Sequence, residues 1–168
     1  MTQLLGALKF YAVEAATLSA VRAALTNDVA LAGVVPGAIA WDACDCGMLA
    51  VSLSRVWLSD TFPDPEPLPI GNCTPAWEAA EVMVQLIRCA PGNVTAAVPY
   101  PPSADQDAAA QILAADAYQV LSSVSQLLCS LKDSGAISDY VIQDQVVMGP
   151  EGGCVGTELR FAVGMPRG

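Results

Sequence analysis

Two runs of alternating polarity set the frame of this chain. Leu49, Val51 and Leu53 alternate with Ala50, Ser52 and Ser54, and Val82, Val84 and Leu86 alternate with Met83, Gln85 and Ile87. A period of two is that of half-buried strands. Strands that follow one another most simply pair antiparallel, so residues 47–90 hold a strand pair, its first member over about Gly47–Ser59. This pairing sets the Cys44/Cys46 end of the first strand beside Cys89. The rest of the chain then covers one face of the pair or extends its sheet.

The segment between the two strands, from Thr61 to Pro75, carries five prolines, four of them at alternate positions from Pro63 to Pro69. Proline has no amide to give to a ladder, so the arc cannot be an internal strand. An extended, preformed arm of this kind can lie on a neighbouring molecule at low entropic cost, or form a rigid surface loop.

Helices flank the pair. In residues 1–26, Leu4, Leu5, Leu8, Ala12, Ala15, Ala16, Leu18, Val21 and Leu25 recur at steps of three and four, the pattern of an amphipathic helix. Asn27-Asp28 ends it. Val29–Ile39, with its Pro36-Gly37 turn, has the composition of a short strand or a buried connection. Val98-Pro99-Tyr100-Pro101-Pro102 is a second extended segment, and Ser103 followed by Gln106 has capping-box form. A long helix over 103–133 follows, with a stripe of Leu113, Ala117, Val120, Leu121, Val124, Leu128 and Leu131, and Ile112 and Leu127 at its flanks. Lys132 and Gly135 mark its end.

Residues 139–165 read as a second strand pair around the turn Gly149–Gly153. Val155, Thr157, Leu159, Phe161, Val163 and Met165 share one face, and Glu158 and Arg160 look away from it. The expectation is one α+β domain over 1–168. It has an antiparallel sheet of four strands or slightly more, covered by an N-terminal helix and a long central one. A length of 168 residues supports one ordinary core.

Composition narrows the functions. The formal net charge is −10, and the seven bases are scattered, so the chain lacks the clustered Lys and Arg with which proteins grip phosphates. Hydrophobic residues make up 54% and charged residues only 14%, against roughly 25% charged in ordinary soluble domains. That apolar excess is suited to contact with other copies or a partner. No apolar run of roughly 20 residues is free of charge, and the N-terminus lacks a basic segment before an apolar core, so neither a membrane span nor a secretion signal is expected.

The sequence contains no histidine, which removes Ser-His and Cys-His nucleophile pairs. In the cytosol expected for this chain the cysteines are mostly thiols. Cys44, Cys46, Cys73, Cys89 and Cys154 could converge at one end of the sheet. Three outcomes stay open: a zinc site, a disulfide such as Cys46–Cys89 or Cys44–Cys73, or thiols; Cys129 falls on the long helix. Cys-x-Cys is not the usual pair spacing for zinc. No glycine-rich phosphate loop is present, since Gly149–Gly156 lacks the spacing and the Lys-Ser/Thr ending. Asp42, Asp45, Glu78 and Glu81 could bind a hard cation, with scattered surface acids as the plainer account. Trp41, Trp57 and Trp77 flank the strand ends, as core packing or as interface anchors.

The opening Trp41-Asp42-x-Cys44-x-Cys46-Gly47-x-Leu49-x-Val51, the downstream Cys73 and the close Val84-x-Leu86-Ile87-Arg88-Cys89-x-Pro91 resemble the tail terminator proteins of long-tailed (siphovirus) phages infecting actinobacteria. The order of helix, strand pair, capped helix and final hairpin is similar to that family's fold. The resemblance implies a structural virion protein without catalysis, cofactor, metal site or membrane contact. It would form a hexameric ring on the major tail tube protein and meet a head-completion or stopper protein, with DNA passing through the lumen unbound. Its place would be the head-proximal end of the virion tail, after assembly in the host cytoplasm. Another head-to-tail adaptor, such as a stopper or tail-completion protein, is the alternative. A small thiol- or metal-dependent enzyme using Cys44, Cys46 and Cys89 is the reading from a different class.

Overall fold

The fold comes from a computed structural model and is described for residues 2–39, 47–65, 77–91, 101–151 and 153–166. Helix α1 (Thr2–Ala24) leads through a short loop to strand β1 (Leu31–Val34). Strands β2 (Met48–Ser59) and β3 (Trp77–Cys89) follow, then helix α2 (Ser103–Asp133) and strands β4 (Asp139–Glu151) and β5 (Cys154–Pro166). The sheet has five strands in the order β1-β2-β3-β5-β4. All neighbours are antiparallel except β1, which runs parallel to β2 with Leu31 opposite Met48 and Val34 opposite Val51.

The strand pairs and both helices fall where the sequence pattern places them. The extra strand is β1, from the stretch whose place the sequence leaves open. Four residues with no polar alternation carry too little signal to fix a partner.

β3 is central, and its two faces do different work. Ala80, Val82, Val84 and Leu86 face the helices, where they join Leu49 and Val51 of β2 and Leu159, Phe161 and Val163 of β5. Phe10, Val13 and Val21 of α1 and Val120, Val124 and Leu128 of α2 close this core. On the opposite face, Ala79, Glu81, Met83, Gln85 and Ile87 are buried as well. The half-buried strand expected from alternation is thus buried on both sides from Ala79 to Ile87. Glu158 does turn away from the main core, as expected, yet it is buried on this second face.

β-Bulges shift the phase of two strands. One lies between Leu53 and Arg55 of β2, another between Ile142 and Gln145 of β4. Before the first bulge the odd residues of β2 meet the helix side, with Leu53 opposite Val82. After it the even ones do, with Val56 opposite Ala80. One extra residue therefore brings Arg55 opposite Glu81 on the second face.

α1 lies in a different rotation from its expected stripe, whereas α2 buries most of the stripe expected of it. On α1 the buried residues are Phe10, Val13, Glu14, Thr17 and Val21, whereas Leu8 and Ala12 are exposed. On α2 they are Asp116, Val120, Val124 and Leu128, at steps of four, and Leu121 is exposed. The Ser103 capping box is not formed. The N-cap is Pro102, whose carbonyl accepts from the amides of Asp105 and Gln106, while the Gln106 side chain reaches back to the Pro101 carbonyl at 2.8 Å. The helix end is as expected: Gly135 has φ +75°, its amide bonds Lys132 O, and the Ala136 amide bonds Leu131 O. Only glycine adopts that conformation without steric cost.

Candidate functional site

On the second face of the sheet, the register stacks charged side chains in adjacent rows. Gln85 lies between Ala50 and Glu158, and Glu81 between Arg55 and Ala162. Gln85 Nε2 donates to Glu158 Oε2 at 2.8 Å, and its Oε1 accepts the Ile39 amide at 3.2 Å. Arg160 Nε donates to Glu158 Oε1 at 2.7 Å, and its Nη1 is 3.8 Å from Glu81 Oε1. Arg55 Nη2 and Gln143 Nε2 both donate to Glu81 Oε2, at 3.2 and 3.1 Å. Gln143 reaches it from the β4 bulge.

Burial by itself would raise the Glu81 carboxyl. Hydrogen bonds from Ser54 and Gln143, with the guanidinium groups of Arg55 and Arg160, outweigh burial and hold it below the ordinary carboxylate value. The hydrogen bond and charge of Glu158 in turn raise Arg160. Two bases thus match two acids. The cluster is a charge-balanced brace across β2, β3, β5 and β4.

A second ionic element ties the helix side together. Arg88 Nε donates to Asp116 Oδ2 at 2.8 Å and Nη2 to Oδ1 at 3.2 Å. The same guanidinium donates to the carbonyls of Asp28 at 2.7 Å and Asn27 at 2.6 Å. Nearby, Gln119 of α2 exchanges two bonds with Thr26. β3, α2 and the loop after α1 are therefore locked at one point.

Beside Arg88, two adjoining apolar hollows of about 320 and 400 Å³ run between the first half of α2 and the Cys89 end of β3. Ala109, Leu113 and Val155 line both.

Among the described residues, those singled out by sequence do not gather into one centre. Cys44, Cys46, Cys73, Trp41, Asp42 and Asp45 lie outside the described residues, as does the proline arc beyond Pro65. Cys89 and Cys154 are register partners, so the Cys89 end of β3 does meet the start of β5. Cys89 and Cys129 are thiols, which overturns the Cys46–Cys89 pairing. Cys154 is disulfide-bonded. Of the outcomes the sequence leaves open, Cys154 takes the disulfide, and its complete burial shields the bond from exchange with solvent thiolates.

Glu78 and Glu81 point to opposite faces of β3 and cannot share a cation. Glu78 is ion-paired with Lys9 of α1, and Glu81 sits in the brace. Among the described residues no group of three His, Cys, Asp or Glu side chains is placed to hold a metal. Trp57 packs under the Arg55 guanidinium, 4.6 Å from its ring centre. Trp77 packs against Phe62 at 5.8 Å. α2 is long and apolar enough to cross a membrane by length and composition, although its buried stripe here packs on the sheet.

Sequence reading misses the brace and the Arg88–Asp116 pair, since both depend on register. The available signal was weak: Glu81 and Gln85 punctuate β3, and Glu158 and Arg160 punctuate β5. Neither any family model nor any curated protein matches the chain.

Proposed function

We propose that the protein is a structural virion component, a tail terminator that caps the tail tube as a hexameric ring and joins the tail to the head connector. The observation that carries this reading is the pair of unlike sheet edges. β1 forms one edge and exposes Leu31; β4 forms the other and exposes Val146 and Val147. A molecule whose two sides differ but each offer apolar surface is suited to head-to-tail association, which closes into a ring when the rotation per copy allows.

The brace supports the same reading from within, because a protein that bears load between tube and head gains from a sheet cross-tied over four strands. A net charge of −10 suits a lumen through which DNA slides without adhering. The sequence resemblance of the Trp41–Pro91 segment supplies the assignment to terminators among ring proteins.

Mass photometry of the protein, alone and with purified tail tubes, tests the proposal. Sixfold particles, or sixfold occupancy at one end of each tube, are expected. Monomers only, in both samples, would overturn it. Locating the protein in intact virions by immunogold labelling separates a terminator, at the tube's last ring, from a stopper on the head side.

A further inference from the structure

Among the described residues, Glu14 is the buried acid without an ion pair. Residue Glu14 is only 6% exposed, in the middle of α1. Burial pushes its carboxyl above the ordinary value, and the opposing influence is a hydrogen bond from the Leu53 backbone. That amide lies on β2 just beyond Val51, where β1 has ended and left the edge open. No basic side chain of the described residues lies within ion-pair distance of Glu14. By contrast, the other buried acids, Glu81, Asp116 and Glu158, each have an arginine.

Glu14 also lines a cleft of about 530 Å³ that opens to solvent between α1 and the end of β1. Its other walls are Tyr11, Val34, Val35, Pro36 and Leu53. Tyr11 is half exposed at the rim, and Leu8, one turn earlier on α1, extends the apolar surface outward. An acid at the base of an apolar, aromatic-rimmed cleft fits a cation on an apolar stem.

We propose that this cleft receives an arginine side chain from a partner protein, its guanidinium meeting Glu14 and its stem lying along Tyr11 and Pro36. A planar guanidinium both pairs with a carboxylate and stacks on a phenol ring, which an ammonium does less well. The described bases of another copy are engaged within their own chain. Every base except Arg167, which lies outside the described residues, is already within 4.0 Å of a carboxylate of its own chain. The apolar rim at Leu8 and Tyr11 extends past what a free guanidine would cover, so the arginine is one carried on a chain. The cleft does not depend on ring formation, and a monomer would keep it.

The test is an amide chemical-shift titration of the full-length protein at 150 mM salt. Its probes are the capped peptide Ac-Leu-Arg-Leu-NH2, the neutral citrulline analogue and ethylguanidinium. Saturating shifts at Tyr11, Glu14, Val34, Val35 and Leu53 are expected with the arginine peptide. Affinity should fall about tenfold in Glu14→Gln and several-fold in Tyr11→Ala. Ethylguanidinium should bind more weakly than the peptide, and the citrulline analogue should cause no shift. Equal response to arginine and citrulline, no effect of Glu14→Gln in a protein with unchanged amide dispersion, or ethylguanidinium binding as tightly as the peptide would each overturn the proposal.

Discussion

Arg88 and Asp116 meet through two parallel hydrogen bonds, of 2.8 and 3.2 Å, between β3 and α2. The Asp116 side chain is 1% exposed and that of Arg88 13%, so the pair is shielded from the solvent screening that makes surface pairs nearly worthless. Removing one partner strands the other's charge in the interior. Asp116→Ala should therefore cost about 3–5 kcal/mol in urea unfolding. Replacing both, as Arg88→Met with Asp116→Leu, should recover much of that loss. The loop carbonyls of Asn27 and Asp28 then lose their donor, so recovery should be incomplete. A double variant as unstable as the single would show that the pair does more than neutralise itself.

Gly164 of β5 packs under two rings. A Cβ there would come within 3.0 Å of Phe62 and 3.1 Å of Trp77. Gly164→Ala should cost about 1–3 kcal/mol through forced displacement of those rings. Gly33 of β1 has open space around the same position. Gly33→Ala should be neutral or stabilising by up to about 1 kcal/mol, because it only restricts the unfolded chain. Thermal melts of the two variants, run side by side, check both the packing and its absence.

Glu81 and Glu14 should respond to acid in opposite senses. The Glu81 carboxyl is held low in the folded protein, so its contribution is complete above the unfolded value, near about 4.3, and is lost as pH falls through the folded value. Glu81→Gln should destabilise by about 1–3 kcal/mol at pH 7 and progressively less below pH ~4. The Glu14 carboxyl is held high, so its ionised form destabilises above the folded value, and that cost disappears as pH falls to the unfolded one. Glu14→Gln should raise Tm at pH 7 by about 2 °C and leave it unchanged near pH ~4. Denaturation curves from pH 3 to 8 separate the two effects.

Period-two and period-3.6 patterns made four strands and two helices legible, because each extends over ten residues or more and the core side of each is apolar. The ionic elements were not legible, for reasons visible in particular residues. Asp116 occupies the buried stripe of α2 where an apolar residue would be expected, and only Arg88 opposite explains it. Arg55 reaches Glu81 because of the bulge after Leu53, and nothing in the alternation of Ser52, Leu53 and Ser54 announces an extra residue. Glu14 reads as a polar residue of an amphipathic helix until the end of β1 is seen to leave a cleft in front of it. Sequence period reports which side of an element is apolar; it carries no information on which strand a given charge will lie against.

The proposed ring puts its demand on the two edges. Val147 is 66% exposed on β4 and Leu31 57% exposed on β1, and neither supports the core of its own chain. A charge at either position should leave the monomer intact, since exposed substitutions usually stay within about 0.5 kcal/mol. The same charge would be desolvated if the edges meet. Val147→Lys should thus melt with the parent protein yet fail to occupy tail-tube ends, and Leu31→Lys should do the same. Because the contact is between unlike edges, mixing either variant with an excess of parent should yield rings interrupted at the variant's altered side. Two variants that both cap tubes as well as the parent would move the lateral contact away from the sheet edges, leaving the helix face, where Tyr118 and Leu121 are exposed, as the surface to alter next.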